Sequence, residues 1–186
     1  MAASLRERIL TANLVLRPLA AGDATLVHAA LVRNEAHLAP WSPARLGKAP
    51  PLAEVVARIH AERRAWREDR KLTLWAFDRA TGAIRGQIGL GGIVRGAFQN
   101  AYLGYWVDLD SQGRGVATEM VGAAVRWAFE RAGLHRVQAA VMPRNTRSLR
   151  VLEKLAFRRE GLALRYLEIA GVWEDHVVYA KTAEER

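Results

Sequence analysis

One unit in the second half of the chain limits the fold more than any other feature. Within residues 99–142, an alternating apolar run is followed by a glycine-rich turn, an amphipathic segment and a second apolar run. Residues 99–108 are predicted to form a strand and residues 114–131 a helix, because apolar side chains recur there at strand and helix spacing. Residues 137–142, which end at Pro143, predict another strand. Strands joined through a helix lie parallel with a right-handed crossover, so the sheet must contain a parallel pair.

The remaining elements are expected to add antiparallel strands and further helices around this unit. Further strands are predicted at residues 13–19, 72–78, 84–94, 160–169 and 173–180, and further helices at 23–33, 52–70 and 145–155. Glycines interrupt residues 84–94, which predicts a bulge or a close approach of other atoms to that strand. No linker or repeat divides the chain. We therefore expect one domain over residues 1–186, of the α/β (α+β) class, with a mixed, mostly antiparallel central sheet and about four helices.

Composition excludes several kinds of chemistry. The chain has no cysteine, which rules out disulfides, zinc–thiolate sites and a cysteine acyl-enzyme. The five histidines show no metal-ligand spacing, so no metal is expected. No apolar run reaches 18 residues, and the first residues are too polar for a secretory signal. We therefore expect a cytoplasmic protein without a membrane partner.

The net charge of +9 favours negatively charged partners. Phosphate-rich ligands, acidic proteins and nucleic acid would all be attracted by it. No aromatic–basic motif or RNA-binding signature accompanies the charge, so direct contact with nucleic acid stays open without being the favoured interpretation.

The glycine-rich turn predicts a diphosphate site. Its residues are Gln112, Gly113, Arg114, Gly115, Val116, Ala117 and Thr118. A helix N-terminus offers free N–H groups and the positive end of its dipole, and glycine lets an anion approach the backbone. The turn is not a dinucleotide-binding fingerprint, because Thr118 stands where the third glycine belongs, and the chain has no Gly-Lys-Ser/Thr of a P-loop.

Two motifs resemble one superfamily. Gln112-x-x-Gly115-x-Ala117 is similar to the Q/R-x-x-G-x-G/A signature of the GCN5-related N-acetyltransferases (GNAT). Asn145-x-x-Ser148, followed by Leu-Glu-Lys-Leu-Ala-Phe at residues 152–157, resembles their second conserved helix, with Ala156 in place of a glycine. Residues 16–19, 100–105, 135–136, 142–148 and 160–177 resemble the RimJ/RimL branch, and the RimJ-type pattern most closely.

The resemblance implies acetyl-CoA as co-substrate and a parallel strand pair that splays open to admit it. The implied cofactor-binding residues are Trp106, Val107 and Asp108, the turn 112–118, Asn145 and Ser148, with a backbone N–H near Val107 facing the thioester oxygen. Ser148 is the candidate acid for the leaving sulfur. Glu168 is the candidate base, with Asp108 and Glu35 as alternatives. The RimL-type pattern places its glutamate one position earlier than Glu168, at Leu167.

The resemblance also implies an amine as the acetyl acceptor. In the branch the acceptor is the N-terminal α-amine of a protein that begins with Ala or Ser, typically a ribosomal protein. Two alternatives stay open: an acetyltransferase of small cationic amines such as antibiotics or polyamines, and a non-catalytic module that binds acetyl-CoA.

Overall fold

The computed structural model describes residues 4–43 and 48–185, and these form a central sheet covered by helices on both faces. The strands are β1 (Ile9–Leu10), β2 (Leu14–Arg17), β3 (Lys71–Asp78), β4 (Ile84–Val94), β5 (Asn100–Val107), β6 (Arg136–Val141), β7 (Arg158–Ile169) and β8 (Val172–Thr182). The α-helices are α1 (Ala24–Leu38), α2 (Leu52–Arg67), α3 (Val116–Glu130) and α4 (Thr146–Lys154).

The eight strands lie in the order β1-β2-β3-β4-β5-β6-β8-β7. Strands β5 and β6 pair in parallel, and every other neighbouring pair is antiparallel. The predicted mixed sheet with about four helices is thus confirmed. The two-residue strand β1 was not predicted, because it is too short to show any alternation.

The two faces of the sheet bury separate apolar clusters. Helices α3 and α4 pack on one face, where Met120 and Leu152 join Leu103, Val137 and Val177 from the strands. Helices α1 and α2 pack on the opposite face around Trp75 and Phe77. Side chains alternate along a strand, so each residue of β5 can be assigned to one of these faces.

Strand β4 contains the predicted irregularities. Its register shifts opposite Ala76 and Phe77 of β3, and again between Gly91 and Val94 opposite β5. At Gly86 an added Cβ would lie 2.4 Å from the carbonyl oxygen of Trp106. Both a bulge and a close backbone approach are therefore present, and the close approach fixes the end of β5.

The parallel pair opens toward its carboxyl end. Pairing of β5 with β6 runs from Asn100 and Arg136 to Leu103 and Ala139 and then stops. On its other edge β5 stays paired with β4 as far as Val107. Residues 104–107 therefore border a gap between two diverging strands.

Among the described helices, none is both long and apolar enough to cross a bilayer.

Candidate active site

Main-chain groups of β5 point into the gap. The N–H of Asp108 donates to the carbonyl oxygen of Arg85 at 2.9 Å, which identifies a hydrogen-bonded pair between β4 and β5. Such pairs alternate with non-bonded ones along antiparallel strands. Tyr105 and Val107 therefore direct their N–H and C=O groups away from β4, toward the side from which β6 has diverged. The Val107 N–H, which the resemblance implies as a donor, therefore borders the gap.

The predicted glycine turn stands at the mouth of this gap and exposes its amides. Gly113 has φ +72° and Gly115, the N-cap of α3, has φ +78°, both in the left-handed region that favours glycine. The first bond of the helix runs from Glu119 N–H to the Gly115 carbonyl. The N–H groups of the residues before Glu119 thus lie at the N-terminal end of the helix, ahead of that bond.

The shape of the turn leaves room for an anion such as a diphosphate. An added Cβ at Gly113 or Gly115 would meet nothing within 4 Å, so the surface above the turn is open. Consecutive N–H groups and a helix N-terminus form an anion-binding concavity. The side chain of Arg114 is exposed beside it.

Gln112 uses its side chain to hold the turn in place. Its Nε2 lies 2.7 Å from Nε2 of His37, in the last turn of α1, and its Oε1 accepts a hydrogen bond from Arg147 of α4. Helix α1 was predicted to end at residue 33, so this contact was not expected. The extension of α1 to Leu38 is what brings His37 to the turn.

Asn145 and Ser148 open helix α4 beside the gap. The Asn145 side chain caps the helix by accepting a hydrogen bond from the Ser148 N–H at 3.2 Å. The Ser148 hydroxyl lies 2.7 Å from the hydroxyl of Tyr105 on β5. Burial raises the pKa of Tyr105, against a smaller opposite effect of the hydrogen bond with Ser148.

Asp108 and Trp106 are held by protein partners. One carboxylate oxygen of Asp108 accepts hydrogen bonds from Arg33 at 2.6 Å and Asn34 at 2.7 Å, and the residue is 1% exposed. The Trp106 indole donates to Gln87 at 3.0 Å on the face of α1 and α2. The side chains of these two predicted cofactor residues thus anchor the end of β5, and their main chain borders the gap.

Glu168 lies near the end of the β7–β8 hairpin, on a different element from the serine. It is exposed and pairs across the strands with Trp173. Glu174 occupies the opposite face of the hairpin, where it binds Arg144 at 2.8 Å. The structure therefore brings Ser148, Asn145, Val107 and the turn together around the gap, and places Glu168 on a separate element.

Tyr105 and His37 are two residues of the site that no sequence motif predicted. Tyr105 lies on the α3 and α4 face because it is two residues from Leu103 and from Val107, which also pack there. This two-residue spacing along the strand could have predicted the face to which the Tyr105 side chain points. The contact of Tyr105 with Ser148 spans 43 positions of the sequence, and that of His37 with Gln112 spans 75. A local sequence pattern cannot predict contacts between residues so far apart in the chain.

A family model described as an acetyltransferase (GNAT) domain matches residues 13–158. The chain belongs to the GNAT family. It is an N-acetyltransferase by that membership, and acetyl-CoA is the co-substrate of GNAT enzymes. Within the described residues, no three His, Asp or Glu side chains cluster as metal ligands would.

Relatives within the GNAT family include proteins of the RimJ type. The ribosomal protein uS5-alanine N-acetyltransferase of Escherichia coli is 33% identical over 177 residues, which cover 95% of this chain and 91% of that protein. The probable N-acetyltransferase YjcK of Bacillus subtilis is 43% identical over 113 residues, or 61% of this chain and 62% of YjcK, less than two thirds of its length.

A solved GNAT structure supports the same fold. Mycobacterium smegmatis RimJ, in complex with CoA-disulfide, superposes with a TM-score of 0.85 at 33% identity. The superposition covers 92% of this chain and 83% of that one. The RimJ/RimL resemblance noted in the sequence is thereby confirmed.

Proposed function

We propose that this GNAT enzyme acetylates the N-terminal α-amine of a protein that begins with Ala or Ser, with a ribosomal protein as the acceptor. The observation that carries the proposal is the 33% identity to the uS5-alanine N-acetyltransferase, which extends over 95% of this chain. Similarity over that extent includes the elements around the acceptor side as well as the coenzyme turn.

An acceptor groove is proposed between the segment after α1 and the β7–β8 hairpin. Ala170 N–H at the hairpin tip donates to the Ser42 carbonyl at 3.0 Å. Arg144 links Glu174 to the same segment, where its guanidinium lies 5.0 Å from the Trp41 ring. Trp41 is half-exposed. An exposed aromatic ring beside the point where the two segments meet is suited to binding the first residues of a peptide.

Proton energetics favour an α-amine as acceptor. With a pKa of about 7.7–8.0, about a tenth of a free α-amine is neutral at pH 7. A lysine side chain, with a pKa of about 10.4, is neutral a few hundred times less often, a difference of about 3.5 kcal/mol. An α-amine therefore needs less help from a base.

The proposed roles follow the proton balance of the transfer. Acetyl-CoA supplies the thioester, whose oxygen would face the Val107 N–H. The amine nitrogen bonds to the carbonyl carbon as the carbon–sulfur bond breaks, so the nitrogen gives up a proton and the sulfur takes one. Ser148 would donate to the sulfur and regain its proton from solvent. Glu168, which has no polar partner among the described residues, would accept the nitrogen's proton through water.

The test is an assay of free thiol release with paired peptides. One peptide begins with Ala and contains an internal lysine, and its control is the same peptide with an acetylated N-terminus. We expect turnover with the free peptide, loss of turnover with the blocked one, and acetyl on the α-amine by mass spectrometry.

Other outcomes point to the other functions. Equal turnover of both peptides would mean that the lysine side chain is the acceptor. Turnover restricted to aminoglycosides or polyamines would identify a small-molecule enzyme. Binding of acetyl-CoA without turnover of any amine would identify a non-catalytic module.

A further inference from the structure

The gap between β5 and β6 contains a pair of hydroxyl groups from different elements. The Tyr105 hydroxyl, from β5, lies 2.7 Å from Ser148 Oγ, from the first turn of α4. Tyr105 lies two residues after Leu103, the last residue of β5 that pairs with β6, so its side chain stands where the two strands separate. It packs against the cluster under α3 and α4, which fixes the ring.

Either hydroxyl can be the donor in the 2.7 Å contact. The other oxygen near the phenol, the Ser148 carbonyl, is 3.4 Å away, beyond the usual 2.5–3.0 Å for an O–H donor. Ser148 Oγ is therefore the nearer acceptor for the phenol proton. When the phenol donates, Ser148 Oγ accepts and directs its own proton elsewhere.

The rest of Ser148 is held as well. Its N–H is bound by the Asn145 side chain, so the start of α4 and the position of the serine Cβ are set. A serine hydroxyl otherwise rotates among several positions. The Asn145 bond holds the main chain of Ser148, and the Tyr105 bond holds its Oγ. Together they leave few directions for the proton of the serine hydroxyl.

We propose that Tyr105 is a positioning residue, which holds the Ser148 hydroxyl so that its proton points into the gap between β5 and β6. This rests on the role proposed above for Ser148 as the donor to the leaving sulfur. Tyr105 keeps its own proton throughout and acts through Ser148. A hydroxyl that already accepts a hydrogen bond is also a better donor, because hydrogen bonds in a chain polarise one another.

The test is a double-mutant cycle of Tyr105→Phe and Ser148→Ala. We expect Ser148→Ala to lower kcat about 100-fold, the lower end for acid–base groups. We expect Tyr105→Phe to lower kcat about tenfold with less than a twofold change in the Kd of acetyl-CoA. In the Ser148→Ala background, Tyr105→Phe should have no further effect, because the group that it positions is gone.

A matched control is Tyr102→Phe. Tyr102 is the other tyrosine of β5, lies on the opposite face and is exposed. The kcat of the Tyr102→Phe variant should therefore equal that of the parent enzyme. Thermal unfolding of Tyr105→Phe should resemble that of the parent, since the ring stays in place. A tenfold loss in both backgrounds would show a merely structural role for Tyr105 and overturn the inference.

The outcomes separate this inference from the proposed function. An unchanged kcat in Tyr105→Phe, with a loss in Ser148→Ala, overturns the positioning role alone. An unchanged kcat in Ser148→Ala overturns both the acid and its positioning. The cycle is also run on acetyl-CoA hydrolysis without acceptor, which releases the same thiol. Failure of every peptide acceptor would therefore leave the role of Tyr105 measurable.

Discussion

At the scale of single residues, the open question is which carboxylate takes the proton of the amine. Glu168 is exposed without a polar partner in the described part of the chain, whereas Glu174 is bound by Arg144. The Glu174 carboxylate is already occupied by its ion pair with Arg144, whereas the Glu168 carboxylate has no such partner to displace among the described residues. The proposed base is therefore Glu168, and Glu174 serves the rim of the groove.

Replacing each carboxylate by its amide tests this assignment. At pH 7 about a tenth of an α-amine is already neutral, so Glu168→Gln should lower kcat/KM for the peptide about tenfold. At pH 9 the amine is neutral without help, and the defect should disappear. Glu174→Gln, the control, should raise the KM of the peptide at both pH values. A defect in Glu168→Gln that is equal at pH 7 and pH 9 would exclude the base role.

At the scale of elements, the end of β5 is placed by the close approach of β4. A Cβ at Gly86 would lie 2.4 Å from the Trp106 carbonyl oxygen and 3.4 Å from Met120 Sδ. Gly86→Ala should therefore push β5 outward, destabilise the fold by about 1–3 kcal/mol and weaken CoA binding, because Val107 moves with the strand. Urea unfolding and calorimetry with CoA measure the two effects.

Gly89→Ala is the matched control in the same strand. There the nearest atom to an added Cβ is the flexible end of Lys71, at 3.4 Å. Its unfolding and its CoA affinity should stay close to those of the parent. Parent-like behaviour of Gly86→Ala would show that the end of β5 tolerates displacement.

Local backbone chemistry explains how much of this site was predictable. The turn at Gly113 and Gly115 was found because left-handed φ angles and free helical amides require a short, recognisable pattern. The gap between β5 and β6 was implied by the resemblance of that pattern to the GNAT family. The ion pair of Asp108 with Arg33 and the hydroxyl pair of Tyr105 with Ser148 were not predicted, because each joins elements that meet only after the sheet and α1 or α4 have packed.

At the scale of the whole molecule, carboxylates bound by backbone N–H groups and arginines contribute to the response to acid. The Thr81 N–H and, next, Arg85 lower the pKa of Asp78 to about 2, at the turn from β3 to β4. Hydrogen bonds from Arg136, on β6, hold the pKa of Glu160, on β7, below its usual value. A carboxylate whose pKa is lower in the folded protein stabilises the fold while it is charged.

The sign of that linkage gives a prediction for acid unfolding. The contribution of Asp78 is complete above the pKa of an unfolded aspartate, about 3.9, and is lost as pH falls from there toward 2. The unfolding midpoint should thus be flat between pH 7 and 5 and should fall between pH 4 and 2. Asp78→Asn should be less stable than the parent at pH 7, and the two should converge near pH 2, where Asp78 itself loses its charge. The exposed Asp110→Asn should follow the parent throughout, and a constant difference between Asp78→Asn and the parent down to pH 2 would refute the role of this charge.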